Sequence, residues 1–304
     1  MILQHVTPAV SSVRERLFDR APCISFEIFP PRTSEGAAQL AHTLDDLQPF
    51  DPGYVSVTCG AGGSSHEGTL ETARLVQARG VRVLAHLTCS GQDGAELHDL
   101  LRRLRDEGVE DLLALRGDPP AGETHYEPRP GELAHASDLV RFIRASSAPF
   151  CIGAACYPEG HLESESKAAD LDHLRAKVAA GAEFLVTQVF FENAFYFDFV
   201  ERCRRAGIFV PIVPGIMPVT SYEQIERFTR KCGATVPRRL QLQLERYQHA
   251  PEAARQAGVE HTSEQCAELL ERGAPGIHFF TLNRSDLAKR VLASQRLAAR
   301  VSFR

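Results

Sequence analysis

The chain has 304 residues, of which 43% are apolar and 24% are charged, and its formal net charge is −5 at pH 7. This composition is that of an ordinary globular protein with enough apolar residues for a large core. Acidic and basic residues are mixed along the chain, which excludes the basic patch typical of nucleic-acid-binding proteins. The N-terminal residues lack the basic segment and apolar core of a signal peptide, and no apolar run reaches the length of a membrane span. The sequence therefore predicts a cytosolic protein with no membrane partner.

The eight cysteines form no Cys-x-x-Cys pair and have no histidines at zinc-finger spacing. Most of them fall in apolar segments, where a free cysteine behaves as a small hydrophobic residue. We therefore expect reduced structural thiols. The chain also has no His-x-His pair and no Cys/His cluster, so the sequence predicts no metal site.

Eight short apolar runs with β-strand character occur along the chain, and helical segments separate them. The runs are CISFEIF (23–29), YVSVTCG (54–60), VRVLAHLTC (81–89), DLLALRG (111–117), FCIGAACY (150–157), FLVTQVFF (184–191), VPIVPGIM (210–217) and GIHFFTL (276–282). In the segment DGAELHDLLRRLRDEG, Asp93 and Glu96 can form a capping box, and Gly108 can end the helix. Eight strand–helix units in succession predict an α/β fold, a parallel (β/α)8 TIM barrel.

Two connections are longer than the others. Residues 117–135, GDPPAGETHYEPRPGELAH, form a proline- and glycine-rich loop after the fourth strand, and residues 234–274 add helical material between strands 7 and 8. Neither segment has the length of an independent domain, and no linker or low-complexity tract divides the chain. We therefore expect residues 1–304 to form a single catalytic barrel domain.

Polar residues alternate with apolar ones toward the ends of the predicted strands. In the first strand, Ser25 and Glu27 alternate with apolar neighbours. The polar residues near the ends of the next five strands are Ser56, Thr58, His86, Thr88, Arg116, Tyr157 and Gln188. Successive strand residues face opposite sides of a sheet, so we expect these side chains to share the inner face. Active sites of such barrels lie at the C-terminal strand ends, and the pattern therefore predicts a polar ligand pocket at the barrel mouth.

Glu27 stands inside an otherwise apolar strand. An ionised carboxylate in apolar surroundings is costly, and burial raises its pKa. The sequence therefore indicates either a catalytic acid or the partner of an arginine such as Arg116 or Arg284. The loops TCGAGGSS and RGDPP could bring the backbone close to a ligand, but they match neither a Walker nor a Rossmann motif. The sixth strand ends at Gln188 instead of a lysine, which disfavours a Schiff-base aldolase.

Eight ordered motifs resemble the methylenetetrahydrofolate reductase family: SFEIFPPRT, VSVTCGAGGSS, AHLTC, LLALRGDPP, YPEGH, LVTQVFF, PIVPGIMPV and HFFTLNR. The resemblance runs from about residue 22 to about residue 292, and the chain stops with the barrel, as in the short bacterial form. It implies a flavoenzyme that reduces 5,10-methylenetetrahydrofolate to 5-methyltetrahydrofolate, with ping-pong hydride transfer from NADH or NADPH through FAD. Such an enzyme serves one-carbon metabolism and methionine biosynthesis, and its relatives are usually homo-oligomers.

The resemblance also implies roles for individual residues. Glu27 is similar to the general acid that protonates the folate N10 and opens the ring to an N5 iminium, a role that a raised pKa would suit. Asp118 is similar to the aspartate beside the flavin pyrimidine ring, which also contacts the pterin. The implied FAD contacts are Thr58, His86, Arg116, Gly117, Asp118, Ala136, Tyr157, His161, Asp170, His173 and Lys177. The implied folate or nicotinamide contacts are Glu27, Asp118, Gln188, Tyr222 and Arg284.

The chain departs from the family pattern at several positions. Tyr222 replaces a phenylalanine, and Cys59 and His135 each replace a tyrosine. His173 and Ala176 stand where the family has an asparagine and an arginine near the FAD adenosine and diphosphate. Loss of that arginine removes a charge-assisted contact worth about 1.5–3 kcal/mol. The sequence therefore leaves open a flavin-independent reductase with direct transfer from NAD(P)H to the folate, a barrel that binds folate or flavin without turnover, and a one-carbon transferase.

Overall fold

The computed structural model describes residues 11–19, 21–59, 66–118, 127–146 and 148–301. Within these ranges the strands are β1 Cys23–Ile28, β2 Tyr54–Val57, β3 Val83–Thr88, β4 Asp111–Leu115, β5 Cys151–Cys156, β6 Phe184–Thr187, β7 Ile212–Val213, β8 Gly215–Ile216 and β9 Gly276–Phe280. They form one sheet in the order β7-β6-β5-β4-β3-β2-β1-β9-β8, and every neighbouring pair is parallel.

β7 and β8 are the two halves of one barrel strand, which is interrupted at Pro214. β7 pairs with β6 and β8 pairs with β9, so this strand closes the sheet into a ring. Proline has no N–H to contribute to a ladder, but the Pro214 carbonyl accepts a 3.0 Å hydrogen bond from the His278 N–H. The Gly215 N–H donates to Thr187 Oγ1 at 2.9 Å. The predicted (β/α)8 barrel is confirmed, except that its seventh strand, expected to be continuous over 210–217, is broken in the middle.

The helices in the described part of the chain are α1 Val13–Leu17, α2 Ser34–Leu47, α3 His66–Gln77, α4 Gly94–Asp106, α5 Ala136–Ala145, α6 Lys167–Ala179, α7 Asn193–Arg205, α8 Tyr222–Cys232, α9 Arg238–Arg246, α10 Pro251–Glu271, α11 Asp286–Leu292 and α12 Gln295–Ala298, with a 3-10 helix at Gln48–Phe50. The predicted capping box of α4 is present, because Asp93 and Glu96 each accept a 2.9 Å hydrogen bond from the other's N–H. The extra helices expected over 234–274 are α9 and α10. No described helix combines the length and apolarity needed to cross a membrane.

Apolar side chains pack on both sides of the sheet. One layer lies between the strands and the helices. The barrel interior holds Cys23, Tyr54, Leu84, Leu113, Cys151, Phe184, Val186 and Val213. All eight cysteines are free, and all but Cys232 are buried, as expected for structural thiols.

Helix α1 closes the N-terminal end of the barrel. Val13 and Leu17 pack against the interior residues. At the start of β4, Asp111 is fully buried, and its Oδ1 accepts a 2.9 Å hydrogen bond from the Val13 N–H. The other carboxylate oxygen of Asp111 is paired with Arg82. Because this end is closed, a ligand must reach the barrel from the C-terminal ends of the strands.

Candidate active site

Glu27 lies near the C-terminal end of β1, on the face of the strand that points into the barrel. In the sheet register it is opposite Ser56 of β2 and Phe280 of β9. Its side chain is 21% exposed, so the carboxylate is sheltered but still reachable. The Thr281 hydroxyl donates a 2.6 Å hydrogen bond to the Glu27 carbonyl and thereby ties the end of β9 to β1.

Two buried histidines flank one oxygen of the Glu27 carboxylate. Oε2 lies 3.5 Å from Nε2 of His86 and 3.7 Å from Nε2 of His278. Each imidazole also contacts a serine: His86 Nε2 is 2.8 Å from Ser56 Oγ, and His278 Nδ1 is 2.9 Å from Ser25 Oγ. Four neighbouring strands, β9, β1, β2 and β3, therefore build one polar cluster around a single acid.

The electrostatics of this cluster correct an expectation from the sequence. Burial raises the pKa of Glu27, but the contact with His278 and the charges of His86 and His278 outweigh burial, so the pKa lies below its ordinary value. Burial in turn lowers the pKa of His86, against the opposing effect of the Glu27 charge. The expected raised pKa of Glu27 is therefore wrong for this structure. The apolar residues of β1 predict a raised pKa for Glu27. The imidazoles of His86 on β3 and His278 on β9 reverse that shift.

Sequence reasoning misses His278 as a site residue. The pattern that could have identified it is the alternation within GIHFF. His278 stands two residues before Phe280 and therefore lies on the same, inward face of the strand. The His278 side chain is 1% exposed and stacks on Tyr54, with ring centroids 5.7 Å apart. Contacts at both ring nitrogens, to Ser25 and to Glu27, fix the orientation of the imidazole.

Thr58, Gln188 and Asp118 follow the ends of three different strands. The Thr58 hydroxyl is buried and has no hydrogen-bond partner in the described ranges. Gln188 is half-buried, and its side-chain oxygen accepts a 2.8 Å hydrogen bond from the Val189 N–H. Asp118 is exposed, and the Ser90 hydroxyl donates to its backbone carbonyl at 3.3 Å. Of the two loops that the sequence predicts to approach a ligand, residues 60–65 of TCGAGGSS and residues 119–120 of RGDPP lie outside the described residues.

Arg116 does not share the inner face, contrary to the prediction. Leu113 belongs to the barrel interior and Ala114 to the outer layer, so the alternation of β4 directs Arg116 away from the barrel axis. Its guanidinium forms a bidentate ion pair with Glu163 in the loop after β5, with one contact of 2.7 Å. The reason for the difference is the phase of the strand: Arg116 follows Leu112 and Ala114 at alternate positions, and these two residues pack in the outer layer.

Gly117 has a conformation that only glycine adopts easily. Its φ is +96°, and a Cβ at this position would lie 3.0 Å from Ser90 Cβ and 3.2 Å from Thr88 Cβ. The backbone at Gly117 therefore packs directly against the end of β3.

The predicted flavin contacts that follow β5 cluster around Tyr157. His161 packs edge-on against the Tyr157 ring, with centroids 4.6 Å apart. The Lys177 ammonium lies 5.8 Å from the Tyr157 ring centroid and donates a 2.9 Å hydrogen bond to the Ala155 carbonyl. Burial lowers the pKa of Lys177, while the charge of Asp170 in the first turn of α6 opposes that shift. The structure thus brings four of the predicted residues together.

The remaining predicted flavin contacts lie on helices α5 and α6. Ala136 is the first residue of α5 and is buried. His173 is exposed and stands one helical turn before Lys177, hence on the same side of α6. Ala176 is also exposed and brings no charge to this region.

Tyr222 and Arg284 line a cavity that adjoins the barrel mouth. The cavity has a volume of about 550 Å³, and its walls come from α8, from the end of α9 and the start of α10, and from the segment after β9. Phe280 and Thr281 also line it, and Thr281 is the residue that is hydrogen-bonded to Glu27. The two predicted substrate contacts therefore line one space, whose wall also includes Phe280, the residue opposite Glu27 in the register of β1 and β9.

Comparison with known proteins identifies relatives along nearly the whole chain. A sequence profile described as methylenetetrahydrofolate reductase matches residues 12–296. The 5,10-methylenetetrahydrofolate reductase of Salmonella typhimurium is 36% identical over 266 residues, which cover 87% of this chain and 88% of that protein. Methylenetetrahydrofolate reductase (NADH) 1 of Zea mays is 36% identical over 294 residues, which cover 93% of this chain but 50% of that protein. The chain spans about half the length of the plant relatives it matches.

A solved structure shares the fold. It is described as an uncharacterized protein from Clostridium thermocellum that binds two copies of 5-methyl-5,6,7,8-tetrahydrofolic acid, and it superimposes with a TM-score of 0.63 over 92% of this chain and 96% of that chain. At 16% identity this likeness supports the barrel fold alone. The profile match and the bacterial relative together show that the chain belongs to the methylenetetrahydrofolate reductase family.

Proposed function

We propose that this protein reduces 5,10-methylenetetrahydrofolate to 5-methyltetrahydrofolate, with NADH or NADPH as electron donor and FAD as the carrier in a ping-pong cycle. Family membership supports the reaction, and the names of the plant relatives favour NADH. The observation that carries the proposal is the Glu27 carboxylate at the C-terminal end of the barrel, held between His86 and His278 with part of its surface open.

The residues around the mouth fit a flavin nucleotide. Thr58 offers a buried hydroxyl with no partner among the described residues, and Gly117 packs its backbone against the end of β3, next to the exposed Asp118. Lys177 supplies a positive charge suited to a diphosphate, and Arg116 would supply a second one on leaving its ion pair with Glu163. When bound, the flavin accepts hydride from the nicotinamide and passes it to the folate. The other FAD contacts in this proposal are His86, Asp118, Ala136, Tyr157, His161, Asp170 and His173.

Glu27 is the proposed general acid for the folate N10. Because its pKa is lowered in this structure, the carboxyl must gain its proton as the substrate binds. A pterin on the open side of Glu27 would exclude water from the 21% of the side chain that is exposed, and desolvation raises the pKa of a carboxyl. His86 and His278, at 3.5 and 3.7 Å from Oε2, hold the carboxyl in position beside the open side of the mouth.

Asp118 and Gln188 are the proposed partners of the pterin edge. A carboxylate accepts hydrogen bonds from ring N–H groups, and a glutamine amide both accepts and donates, so the pair suits the mixed donors and acceptors of a pterin. The exposed charge of Asp118 would also lie beside the flavin, where a negative charge makes the ring harder to reduce. Tyr222 and Arg284 are the proposed contacts for the part of the folate beyond N10.

The proposal is tested by the visible absorbance spectrum of the purified protein under anaerobic conditions. We expect flavin absorbance that NADH bleaches and that methylenetetrahydrofolate restores, with one 5-methyltetrahydrofolate formed for each flavin reoxidised. A flavin spectrum that methylenetetrahydrofolate does not restore, with no methyl product by chromatography, would contradict the proposed reaction.

Direct hydride transfer without a flavin is a second candidate. It is favoured by the uncharged, exposed Ala176 on α6 and by the engagement of Arg116 with Glu163, since both reduce the positive charge available to a diphosphate. In that case the protein would be colourless and would oxidise NADH with methylenetetrahydrofolate at a rate that added FAD does not change.

We also propose that residues 1–304 act as one catalytic domain. Support comes from the packing of α10, in which Gly258 lies so close to the segment after β8 that a Cβ would be 2.1 Å from the Val219 carbonyl oxygen. Gln265 of α10 further donates a 3.0 Å hydrogen bond to the Phe190 carbonyl. The extra helices are thus continuous with the barrel.

A further inference from the structure

We propose that Glu163 is a built-in competitor of the flavin nucleotide: its carboxylate holds the guanidinium of Arg116 that would otherwise bind the diphosphate of FAD, and so weakens flavin binding. This inference rests on the proposed binding of FAD and goes beyond the proposed reaction, which needs no such contact. It describes an autoinhibitory ion pair that lowers the affinity of the protein for its cofactor.

The ion pair engages the donors of Arg116 that a phosphate would use. The two terminal nitrogens of Arg116 contact the two carboxylate oxygens of Glu163, with one contact of 2.7 Å. The remaining nitrogen, Nε, donates a 3.3 Å hydrogen bond to the Gly117 carbonyl. Arginine presents the same fork of donors to carboxylates and to phosphates, so this edge of the guanidinium cannot serve both at once. A diphosphate must therefore displace Glu163 or bind without Arg116.

Arg116 acts on the cluster in which the diphosphate is proposed to bind. Burial is the main cause of the lowered pKa of Lys177, and the charge of Arg116 lowers this pKa further. Burial also lowers the pKa of His161, on which the charges of Glu163 and Arg116 act in opposite directions. The ion pair therefore lies close to the residues around Tyr157, and its opening would provide a second positive charge near Lys177.

The loop after β5 has contacts of its own that hold Glu163 beside Arg116. The Glu163 N–H donates a 3.1 Å hydrogen bond to Nδ1 of His161. On another side of the loop, the Glu159 carboxylate accepts hydrogen bonds of 3.0 and 3.1 Å from the Thr235 N–H. None of these contacts uses the Glu163 carboxylate. The loop should therefore keep its conformation when that carboxylate is neutralised.

The exposure of the ion pair sets the size of the expected effect. The side chains of Arg116 and Glu163 are 24% and 43% exposed, so a ligand can displace the carboxylate into solvent. A partly exposed pair is worth a factor of roughly two to five, and bidentate geometry adds to it. The apparent affinity of a ligand falls with the fraction of molecules in which its site is available. We therefore expect the pair to weaken FAD binding by about three- to tenfold.

The test is the Kd for FAD of the flavin-free protein, measured by the change in flavin fluorescence on titration. Glu163→Gln should lower the Kd for FAD by about three- to tenfold, whereas the Kd for riboflavin, which has no phosphate, should stay within about twofold. The matched control is Glu165→Gln, which removes one charge from an exposed position of the same loop outside the ion pair. It should leave both Kd values unchanged.

A double-mutant cycle shows whether the effect passes through Arg116. In the Arg116→Gln background, Glu163→Gln should change the Kd for FAD by less than about twofold, because the group that it would release is already absent. Urea unfolding verifies that each variant retains the fold.

An unchanged or raised Kd for FAD in Glu163→Gln would overturn the inference. A gain of the same size for riboflavin, in Glu165→Gln, or in the Arg116→Gln background would equally overturn it, because the effect would then not depend on Arg116 and the diphosphate.

Measuring binding without turnover separates this inference from the proposed function. Tighter FAD binding by Glu163→Gln in a protein that forms no methyl product would support the competitor and reject the reductase. A wild-type protein that binds no FAD, with a Glu163→Gln variant that does, would support the inference and reject FAD as the cofactor of the wild-type protein. Absence of FAD binding in both would overturn the inference and favour direct hydride transfer.

Discussion

His278→Phe tests whether the histidine of β9 sets the acidity of Glu27. Phenylalanine keeps a flat ring in the place of the imidazole, whose centroid is 5.7 Å from that of the Tyr54 ring. The substitution removes both ring nitrogens of the histidine. Glu27 would lose the contact with His278 and the charge of that histidine, whereas its burial and the charge of His86 would remain. The pKa of Glu27 is therefore expected to rise.

The structural cost of this substitution can be worked out from the contacts of Ser25. The buried Ser25 hydroxyl loses its 2.9 Å contact with Nδ1 and keeps only a 3.4 Å contact with the Ile277 carbonyl. An under-satisfied buried hydroxyl costs about 1–3 kcal/mol, so we expect the free energy of unfolding in urea to fall by that amount. His249→Phe, at an exposed position of the connection between α9 and α10, should change it by less than about 0.5 kcal/mol.

The decisive assay is the pH profile of reoxidation of the reduced flavoprotein by methylenetetrahydrofolate, followed by stopped flow. A general acid works in its protonated form, so the rate falls as the pH rises through its pKa, and a raised pKa moves that fall to higher pH. The plateau rate should decrease by less than about tenfold, because Glu27 itself is still present and is only a weaker acid. A profile that is unchanged, or that shifts to lower pH, would refute the assignment of His278.

Three further predictions concern the flavin side of the mouth. Thr58→Val should raise the Kd for FAD about three- to tenfold in a fluorescence titration. It should not lower the melting temperature of the flavin-free protein, because the hydroxyl has no hydrogen-bond partner in the described structure. An unchanged Kd would exclude Thr58 from the flavin site. Ala176→Arg should tighten FAD binding by about ten- to a hundredfold, with Ala176→Gln as the uncharged control; equal effects of both variants would exclude a charge contact. Gly117→Ala should destabilise the protein by about 1–3 kcal/mol in urea, because of its φ of +96° and its contact with Ser90; a neutral result would mean that this backbone can relax.

Local patterns predict the barrel and part of its mouth. Alternation within a strand and capping at a helix start depend on neighbouring residues only, and so the eight strand positions, the capping box of Asp93 and the inward faces of Glu27 and His86 follow from the sequence. The helical segment between the seventh and eighth strands, which forms α9 and α10, is predicted from the sequence for the same reason.

Contacts that depend on closure of the ring are not predictable in this way. His278 reaches Glu27 only because β9, the last strand, pairs with β1, the first, and this contact reverses the expected pKa shift of Glu27. Arg116 is misassigned because both faces of β4 are almost wholly apolar and buried, so the sequence does not show that Leu112 and Ala114, which share the phase of Arg116, face the helices. The cavity that joins Tyr222 to Arg284 exists only after α8, α10 and the segment after β9 have packed together.

The most direct test of the central claim, that Glu27 is the acid for folate reduction, is the rate of the two half-reactions in Glu27→Gln. Glutamine keeps the size of the side chain, so the fold should be retained, which urea unfolding verifies. We expect reoxidation of the flavin by methylenetetrahydrofolate to slow by roughly 10²–10⁴-fold, while reduction of the flavin by NADH stays within about threefold of the wild-type rate. An equal loss in both half-reactions, or a folate half-reaction at the wild-type rate, would contradict the account.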